Sequence, residues 1–349
     1  MRLNLLILMA FGLDLLLGDP RWFPHPVKLI GRFAALLEAP LRLVIPFERL
    51  AGAVAWALVV GATGGAAWGL LTAAGKLDPV IQDLVAVLLL YTAFAARDLV
   101  DHSNHVLQAL RADDLPEARR RVSMIVGRDT AELNEAGVVR ATVESVAEST
   151  VDGVTAPLFF AALGGPVAAL AYKAVNTLDS MFGHKDERCL KFGWASARLD
   201  DLANLIPARI TGHLIALSAC LLRYNPAAAL RILARDGRKH ASPNAGLSEA
   251  AFAGALNIQL GGLNLYGGEP HEGALIGDPH EPLGPEHITR ANWLMYLTAF
   301  LALWLCLGLR VLVLFLWANQ MVYLTAFLAL CLCLGLRALV LSPWRGGAL

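Results

Sequence analysis

One segment of an otherwise apolar chain, residues 172–209, carries a dense set of charged and amide side chains. They include Lys173, Asn176, Asp179, His184, Lys185, Asp186, Arg198, Asp200, Asp201 and Asn204. Charges at this density are costly in apolar surroundings, so water, a metal, a charged ligand or one another must solvate them. Asp200, Asp201 and Asn204 fall within one helical turn, and oxygen ligands so placed suit Mg²⁺.

A second set of chemically active residues is spaced by four along the chain. It comprises Arg140, Glu144, Glu148 and Asp152. In a helix this spacing puts all four on one slowly drifting face, and Asp129 with Glu132 predicts a capping box at its start. Three carboxylates on one face repel each other, which favours a cation site. The alternative is a surface ion pair between Arg140 and Glu144, worth roughly a few tenths of a kcal/mol.

Further polar clusters separate the apolar segments. They are GDPRWFPHP with Arg21 and His25, RDLVDHSNHV with Arg97 and His102, and RRRVSMIVGRDT with Arg128. Asp98 and His102 share a helix face, although ordinary helix surface polarity explains that pairing equally well. The glycine-rich segment 241–268, which contains Asn244, either brings backbone amides to a phosphate or simply punctuates a loop.

These groups define a class of chemistry. Carboxylate oxygens with Arg and Lys cations suit a Mg-nucleotide or a phosphorylated substrate. The five cysteines form no CxxC pair, so neither a zinc site nor a disulfide framework is indicated. No P-loop motif occurs in the sequence.

The elements that must position these groups are membrane helices by composition. Of 349 residues, 56% are hydrophobic and 17% are charged, and the mean hydropathy is +0.54. A soluble domain has about 25% charged residues. The formal net charge is zero, so no general attraction to nucleic acid is expected.

A membrane span needs about 20 apolar residues. The segments that qualify are 51–75, 79–96, 293–317 and 321–341, and segment 3–17 is marginal. The last two spans contain the near-identical runs YLTAFLALWLCLGLR and YLTAFLALCLCLGLR, which indicates a recent local duplication. Segments 154–175 and 210–222 are ambiguous between a span, a re-entrant hairpin and a buried helix.

The expected architecture is an all-α, polytopic membrane helical bundle with a mostly helical polar region. Basic residues concentrate in segment 18–50 and after residue 96, which places both on the cytoplasmic side. If neither ambiguous segment spans, all of 97–292 lies on that side. We predict N-terminal membrane helices in 1–96, a polar catalytic region in 97–292 and a C-terminal membrane helix pair in 293–349.

Six motifs in order carry a family resemblance. They are GDPRWFPHPVKLIGR, RDLVDHSNHV, SMIVGRDT, ESVAESTVDGVTAPLFF, YKAVNTLDSMFGHKDERCLKFGWASARLDDLANLIPARITG and SPNAGLSEAAFAGALNIQLGG. Each motif is weak alone, but six in register between about residue 10 and residue 268 are highly specific. The chain resembles the adenosylcobinamide-phosphate synthase family, also called the CobD/CbiB family.

The resemblance implies a multi-pass enzyme of the cell membrane in late cobalamin synthesis, with its active site facing the cytoplasm. Such enzymes join the last free carboxylate of adenosylcobyric acid to the amine of (R)-1-aminopropan-2-ol or its O-phosphate. ATP and Mg²⁺ drive the amide bond, through an acyl phosphate that the amine attacks. Other enzymes of the same pathway are implied as partners.

With the resemblance in place, roles are expected for individual residues. Mg²⁺ ligands are expected at Asp179, Asp200, Asp201 and Asn204, and catalytic roles at Asp179, His184, His102, Glu144, Glu148 and Asp152. Substrate or phosphate binding is expected at Arg21, His25, Arg97, Arg128, Lys173, Asn176, Lys185, Arg198 and Asn244. Ser149 and Ser248 depart from the family's usual Asn and Pro, and neither departure removes a charged group.

Two other functional classes compete with a ligase. A transporter would place charges within spans and pair broken helices in symmetric halves, whereas the dense clusters here are predicted to fall mainly between spans. A membrane scaffold for other pathway enzymes would tolerate alanine at the aspartates of segment 172–209.

Overall fold

The computed structural model describes residues 1–20, 25–184 and 188–341, with the backbone alone for residues 317–341. About three-quarters of the chain is helical and almost none of it is strand, which confirms the predicted all-α class. The helices are α1 (Arg2–Leu17), α2 (Pro26–Val44), α3 (Glu48–Leu77), α4 (Pro79–Tyr91), α5 (Ala96–Arg111), α6 (Leu115–Val122), α7 (Glu135–Ser149), α8 (Ala156–Phe182), α9 (Cys189–Phe192), α10 (Trp194–Ala203), α11 (Leu205–Leu221), α12 (Pro226–Asp236), α13 (Ala245–Leu256) and α14 (Glu286–Leu341). A π-helical turn, Thr150–Thr155, joins α7 to α8.

Four short strands lie between α13 and α14. They are β1 (Gln259–Leu260), β2 (Leu263–Tyr266), β3 (Glu269–Glu272) and β4 (Ile276–Gly277), paired antiparallel as β1–β4 and β2–β3. Gly267 and Gly268 form the β2–β3 turn with φ of 60° and 83°, which glycine adopts without steric cost. Gly267 and Gly268, in the glycine-rich segment 241–268, therefore serve to form a turn.

Within the residues that the structure describes, four helical stretches are long and apolar enough to cross a membrane. They are Glu48–Leu77, Pro79–Arg111, Glu135–Phe182 and Glu286–Leu316. Helices α10 and α11 together form a further stretch bent by 50°, which is either a broken span or a re-entrant loop. Segment 210–222 is therefore part of either a span or a re-entrant loop, which are two of its three predicted alternatives. Segment 154–175 lies inside Glu135–Phe182, which is long and apolar enough to cross a membrane.

The start of the stretch Glu135–Phe182 differs from its sequence description. The side chain of Asn134 caps α7 by accepting from the Gly137 amide at 2.8 Å, so the predicted capping box at Asp129 and Glu132 is wrong. Asp129 instead accepts a hydrogen bond from the Gly268 amide at 2.7 Å, because the β2–β3 hairpin packs over it. The arrangement with all of 97–292 on one side of the membrane stays a prediction.

The C-terminal apolar repeats form one helix instead of the expected pair. Helix α14 continues from Glu286 to Leu341 without a break at residues 318–320. The sequence there is Ala-Asn-Gln, which contains neither glycine nor proline to end a helix. The chain divides into two compact units, Met1–Trp304 and Leu305–Leu349, and the elements that position the polar residues belong to the first.

The packing of α2, α3, α8 and α9 holds the polar end of α8 in place. Ala55 of α3, Leu178 of α8 and Phe192 of α9 belong to one buried cluster. Gly52 of α3 lies directly against the Phe192 carbonyl, where a Cβ atom would overlap it. Small residues at such contacts let helices approach closely, and here Gly52 lets α3 pack directly against α9.

Candidate functional site

Helices α8 and α10 bring the amide and carboxylate residues of segment 172–209 into contact. Asp200 accepts a hydrogen bond from Asn204 Nδ2 at 3.0 Å and one from Asn176 Nδ2 at 3.5 Å. The Tyr172 hydroxyl donates to Asn204 Oδ1 at 2.9 Å, which fixes the orientation of that amide. Asp200 is 7% exposed, so a buried carboxylate is held in a defined position by two neutral donors.

The π-helical turn delivers a second carboxylate to the same place. Asp152 lies in this turn and interacts electrostatically with Asp200, Glu148, Asp179 and Lys173. Four-residue spacing drifts around an α-helix, and the wider π turn offsets part of that drift. We call Glu148, Asp152, Lys173, Asp179 and Asp200 the carboxylate cluster, because electrostatic interactions with Asp152 link them.

Lys173 is the cation among these carboxylates. It is half-buried, and its strongest charged neighbours are Asp152, Asp19 and Asp200. An ammonium enclosed by carboxylates but still accessible can neutralise the cluster or contact an incoming anion. Its placement agrees with the predicted role in phosphate binding without testing it.

Glu144 and Arg128 form a buried ion pair beside this cluster. Arg128 Nη1 lies 2.7 Å from Glu144 Oε2, and the two side chains are 13% and 6% exposed. Glu144 Oε1 also accepts from the Gly261 amide at 2.6 Å. Arg140 lies 4.0 Å from Glu144 and donates to the Leu263 carbonyl at 2.9 Å. The Arg128 guanidinium therefore already neutralises the Glu144 carboxylate. The Arg140–Glu144 interaction is not a surface ion pair, because the Glu144 side chain is buried.

Glu249 of α13 is a site residue that the sequence argument missed. It is 6% exposed, and the Nε2 atom of His240 lies 3.9 Å from its Oε1. Burial raises the pKa of Glu249 well above its ordinary value of 4.5, and the nearby charges of Glu144 and Glu148 add to that shift. The sequence contained one indication of this role. Glu249 is a charged residue in a run of Ala, Gly and Ser that is otherwise suited only to close helix packing.

Asn244 ties the glycine-rich segment to the carboxylates of α10. Its Nδ2 donates to the Asp201 carbonyl at 2.8 Å. Its Oδ1 is buried and has no hydrogen-bond partner in the described part of the chain. Asp201 in turn lies within electrostatic range of Asp179 and Asp200. The predicted substrate residue Asn244 thus presents a free acceptor beside the predicted metal residues.

Two histidine–aspartate pairs adjoin one another, and Asp19 of the first pair interacts electrostatically with Lys173. His25 Nε2 is 3.4 Å from Asp19, and His102 Nε2 is 3.7 Å from Asp98. The Val27 amide donates to His25 Nδ1, so the neutral ring carries its proton on Nε2, facing Asp19. Asp98 interacts electrostatically with Asp19 and His25, so the two pairs adjoin.

Several predicted residues lie elsewhere or have other contacts. His184 is exposed, and its Nε2 lies 3.1 Å from the Ser180 carbonyl in the last turn of α8. Arg97 is paired with Asp101 at 2.9 Å. Arg198 is exposed. Arg21 and Lys185 lie outside the described residues.

The fit to Mg²⁺ depends on how many protein ligands the ion needs. Within residues 1–20, 25–184 and 188–316, no three His, Cys, Asp or Glu side chains converge as a metal site. Asp179, Asp200, Asp201 and Asn204 are therefore not a complete metal cage. Mg²⁺ is commonly held by one or two carboxylates together with substrate phosphates and water, and the oxygen donors around Asp200 fit that mode.

Comparison with known proteins covers most of the chain. The profile of the CobD/CbiB protein family matches residues 7–295. The cobalamin biosynthesis protein CobD of Geobacter metallireducens is 56% identical over 277 residues, covering 79% of this chain and 87% of that protein. The protein of the same name from Leptospira interrogans is 46% identical over 295 residues, covering 84% and 94%.

Cobalamin biosynthesis protein CbiB of Salmonella typhimurium is also similar, at 46% identity over 304 residues, covering 86% of this chain and 95% of that protein. No solved structure matches the chain. The similarity includes every residue placed above in and around the carboxylate cluster, since all of them lie between residues 7 and 295.

Proposed function

Because this chain belongs to the CobD/CbiB family, we propose that it acts in cobalamin biosynthesis as a membrane-bound, ATP-dependent ligase. The proposed reaction joins the free carboxylate of adenosylcobyric acid to the amine of (R)-1-aminopropan-2-ol or its O-phosphate. ATP supplies the activation that a carboxylate needs before an amine can attack it. The enzyme is placed in the cell membrane, with the site facing the cytoplasm.

The observation that carries this proposal is the fixed, buried carboxylate of Asp200 among further carboxylates and one lysine. Its two oxygens take hydrogen bonds from Asn176 and Asn204, which leaves lone pairs for a metal ion. Asp200 with Asp179 supplies the one or two carboxylates that Mg²⁺ of a bound nucleotide requires. Lys173 provides the adjacent cation for the polyphosphate.

The glutamates on the other side of Asp152 are suited to the amine. Glu148 and Glu249 lie within electrostatic range of one another, and Glu144 is already paired with Arg128. An ammonium group would relieve the repulsion between them. Of the two histidines considered as a base, His102 is preferred, since its ring faces Asp98, whereas His184 faces a backbone carbonyl of α8.

One observation favours the transporter alternative. Glu144, Glu148, Asp152, Lys173 and Asp179 all lie in Glu135–Phe182, a stretch that can cross a membrane. The expectation that the dense clusters fall mainly between spans is therefore not met for these residues. Ionisable groups inside spans mark transport pathways as well as buried catalytic sites.

The test is ADP release by detergent-purified protein given adenosylcobyric acid, aminopropanol phosphate, ATP and Mg²⁺. We expect release to require both organic substrates and to fall about 100-fold or more in Asp200→Asn, since a neutral amide binds Mg²⁺ poorly. Asp83→Asn is the matched control, because Asp83 pairs with Arg2 at 2.7 Å on the exposed surface.

Either of two results contradicts part of the proposal. Full activity in Asp200→Asn moves the metal site elsewhere and leaves the ligase intact. A wild-type protein that unfolds cooperatively on heating, yet consumes no ATP with all substrates present, is not this ligase. Substrate uptake into proteoliposomes would then be the next measurement, because it tests the transporter directly.

A further inference from the structure

A polar cavity lies apart from the carboxylate cluster, where α11 ends and α14 begins. Its volume is about 540 Å³, and its polar lining consists of Arg223, Tyr224, Asn225, Asn257, Glu281 and Arg290. None of these residues has a role in the proposed ligase reaction. The cavity lies wholly within the unit Met1–Trp304.

Most of the polar groups in this cavity satisfy one another. Asn225 Nδ2 donates to Asn257 Oδ1 at 2.8 Å, and Asn257 Nδ2 donates to Glu281 at 3.4 Å. Arg290 Nη1 donates to the other oxygen of Glu281 at 2.8 Å. The one carboxylate of the cavity is therefore neutralised, and its amides are used internally.

The groups that remain are hydrogen-bond donors. The Arg223 side chain is exposed, and in the described part of the chain it has no carboxylate within ion-pair distance. Burial raises the pKa of Tyr224 above its ordinary value of 10.0, so its hydroxyl stays protonated and can donate at neutral pH. Arg290 has guanidinium N–H groups beyond the one given to Glu281. A cavity with spare donors and one uncompensated cation is suited to an anion.

Exposed apolar side chains lie next to the cavity, and they indicate which kind of anion it is suited to bind. Leu217 and Leu221 are exposed on the last turns of α11, directly before the first arginine of the cavity. On α14 the exposed side chain of Trp293 follows the second arginine by three residues. Thr298 Oγ1 donates to Ser218 Oγ at 3.0 Å and keeps the two helices adjacent.

Both helices thus change from apolar to charged surface at the same cavity. Tryptophan at such a change is typical of the membrane–water boundary. Guanidinium groups there meet phosphate, which they bind with paired N–H donors.

We propose that this cavity binds a phosphate group at the membrane surface, with the Arg223 guanidinium as its charged partner. The group belongs either to a phospholipid headgroup or to a soluble phosphomonoester. Tyr224 and Arg290 supply neighbouring donors. The inference does not depend on the ligase reaction, because no residue of the carboxylate cluster takes part.

The experiment uses the full-length protein in detergent, with thermal unfolding and native mass spectrometry as readouts. The probes are dioleoylphosphatidylglycerol, inorganic phosphate and O-phosphoethanolamine, each titrated separately. Wild type is compared with Arg223→Gln and with the matched control Arg111→Gln, which removes an exposed arginine at the end of α5. We expect phosphatidylglycerol to raise the unfolding temperature of wild type and control, and to bind about tenfold more weakly to Arg223→Gln.

The two phosphate sources give different patterns. Stabilisation by the lipid alone identifies a headgroup site, and equal stabilisation by the soluble phosphates, again lost in Arg223→Gln, identifies a phosphomonoester site. Identical binding of every probe to wild type and Arg223→Gln overturns the proposal. If Arg223→Gln fails to fold, Tyr224→Phe takes its place, because this variant removes only a hydroxyl donor. We expect Tyr224→Phe to bind the phosphate probe about threefold more weakly than wild type. Unchanged binding by Tyr224→Phe overturns the proposal equally.

Discussion

Replacing Arg128 by methionine tests whether the buried Arg128–Glu144 pair holds the site together. The pair is 2.7 Å long, and the arginine also donates to Asn264 Oδ1 at 2.7 Å. Glu144 keeps its hydrogen bond from the Gly261 amide in the variant but loses its nearest cation. The change therefore leaves a carboxylate that is 6% exposed without a close counter-charge.

The expected cost follows from that burial. Removing one partner of a buried ion pair destabilises a protein by about 3–5 kcal/mol. Arg140, 4.0 Å from Glu144, can take over part of the compensation, so we expect about 3 kcal/mol for Arg128→Met. Glu144→Gln is expected to cost about 1 kcal/mol, because the amide still accepts from Gly261 and Arg128 is left partly accessible.

The assay is a double-mutant cycle on unfolding free energies in detergent micelles. The double variant is expected to be about 2 kcal/mol more stable than the sum of the two single losses, since neither charge is then buried alone. Two results would refute this reasoning: additive losses in the double variant, or an Arg128→Met variant whose unfolding free energy is within about 0.5 kcal/mol of wild type. Arg128 would then be expected to act in substrate binding alone.

Two further predictions concern α13. The pKa of Glu249 in the folded state lies above its ordinary value of 4.5. The free energy of unfolding therefore falls as the pH rises from 4.5 through the folded-state pKa. Glu249→Gln should therefore raise the unfolding temperature at pH 8, lose this advantage below about pH 4, and lower ligase activity; a lower unfolding temperature at pH 8 would contradict the assignment. Gly254→Ala should destabilise by about 1–3 kcal/mol, because its Cβ would overlap the Ala228 carbonyl of α12. The matched variant Gly61→Ala, whose Cβ has nothing within 4 Å, should be neutral or up to about 1 kcal/mol more stable in the same unfolding assay.

Local sequence patterns anticipated those contacts that lie within one helix or one turn. Asp200 and Asn204 are four residues apart and are hydrogen-bonded as the helical spacing requires. Glu148 and Asp152, also four apart, lie within electrostatic range of each other. The backbone period alone decides which neighbours such residues meet, so a sequence is sufficient to predict them.

Contacts between distant segments were out of reach of that reasoning. Glu249 of α13 approaches Glu144 and Glu148 of α7, and Asp19, which follows α1, approaches Asp98 of α5. The α7 cap was misassigned because Asp129 and Asn134 are both suitable capping residues, and the β2–β3 hairpin engages the first. Which alternative forms depends on partners more than 100 residues away in the chain.

The amino-acid sequence by itself determined the apolar composition, the all-α membrane class and the family resemblance. These follow from residue types and short spacings, which are present before the chain folds. Only the tertiary structure decided which charges are already compensated. Among the described residues it neutralises Glu144 with Arg128, brings no lysine or arginine within ion-pair distance of Glu249, and leaves Arg223 in a separate cavity. Buried charge is costly unless a counter-charge is brought to it, and that pairing exists only once distant helices have packed.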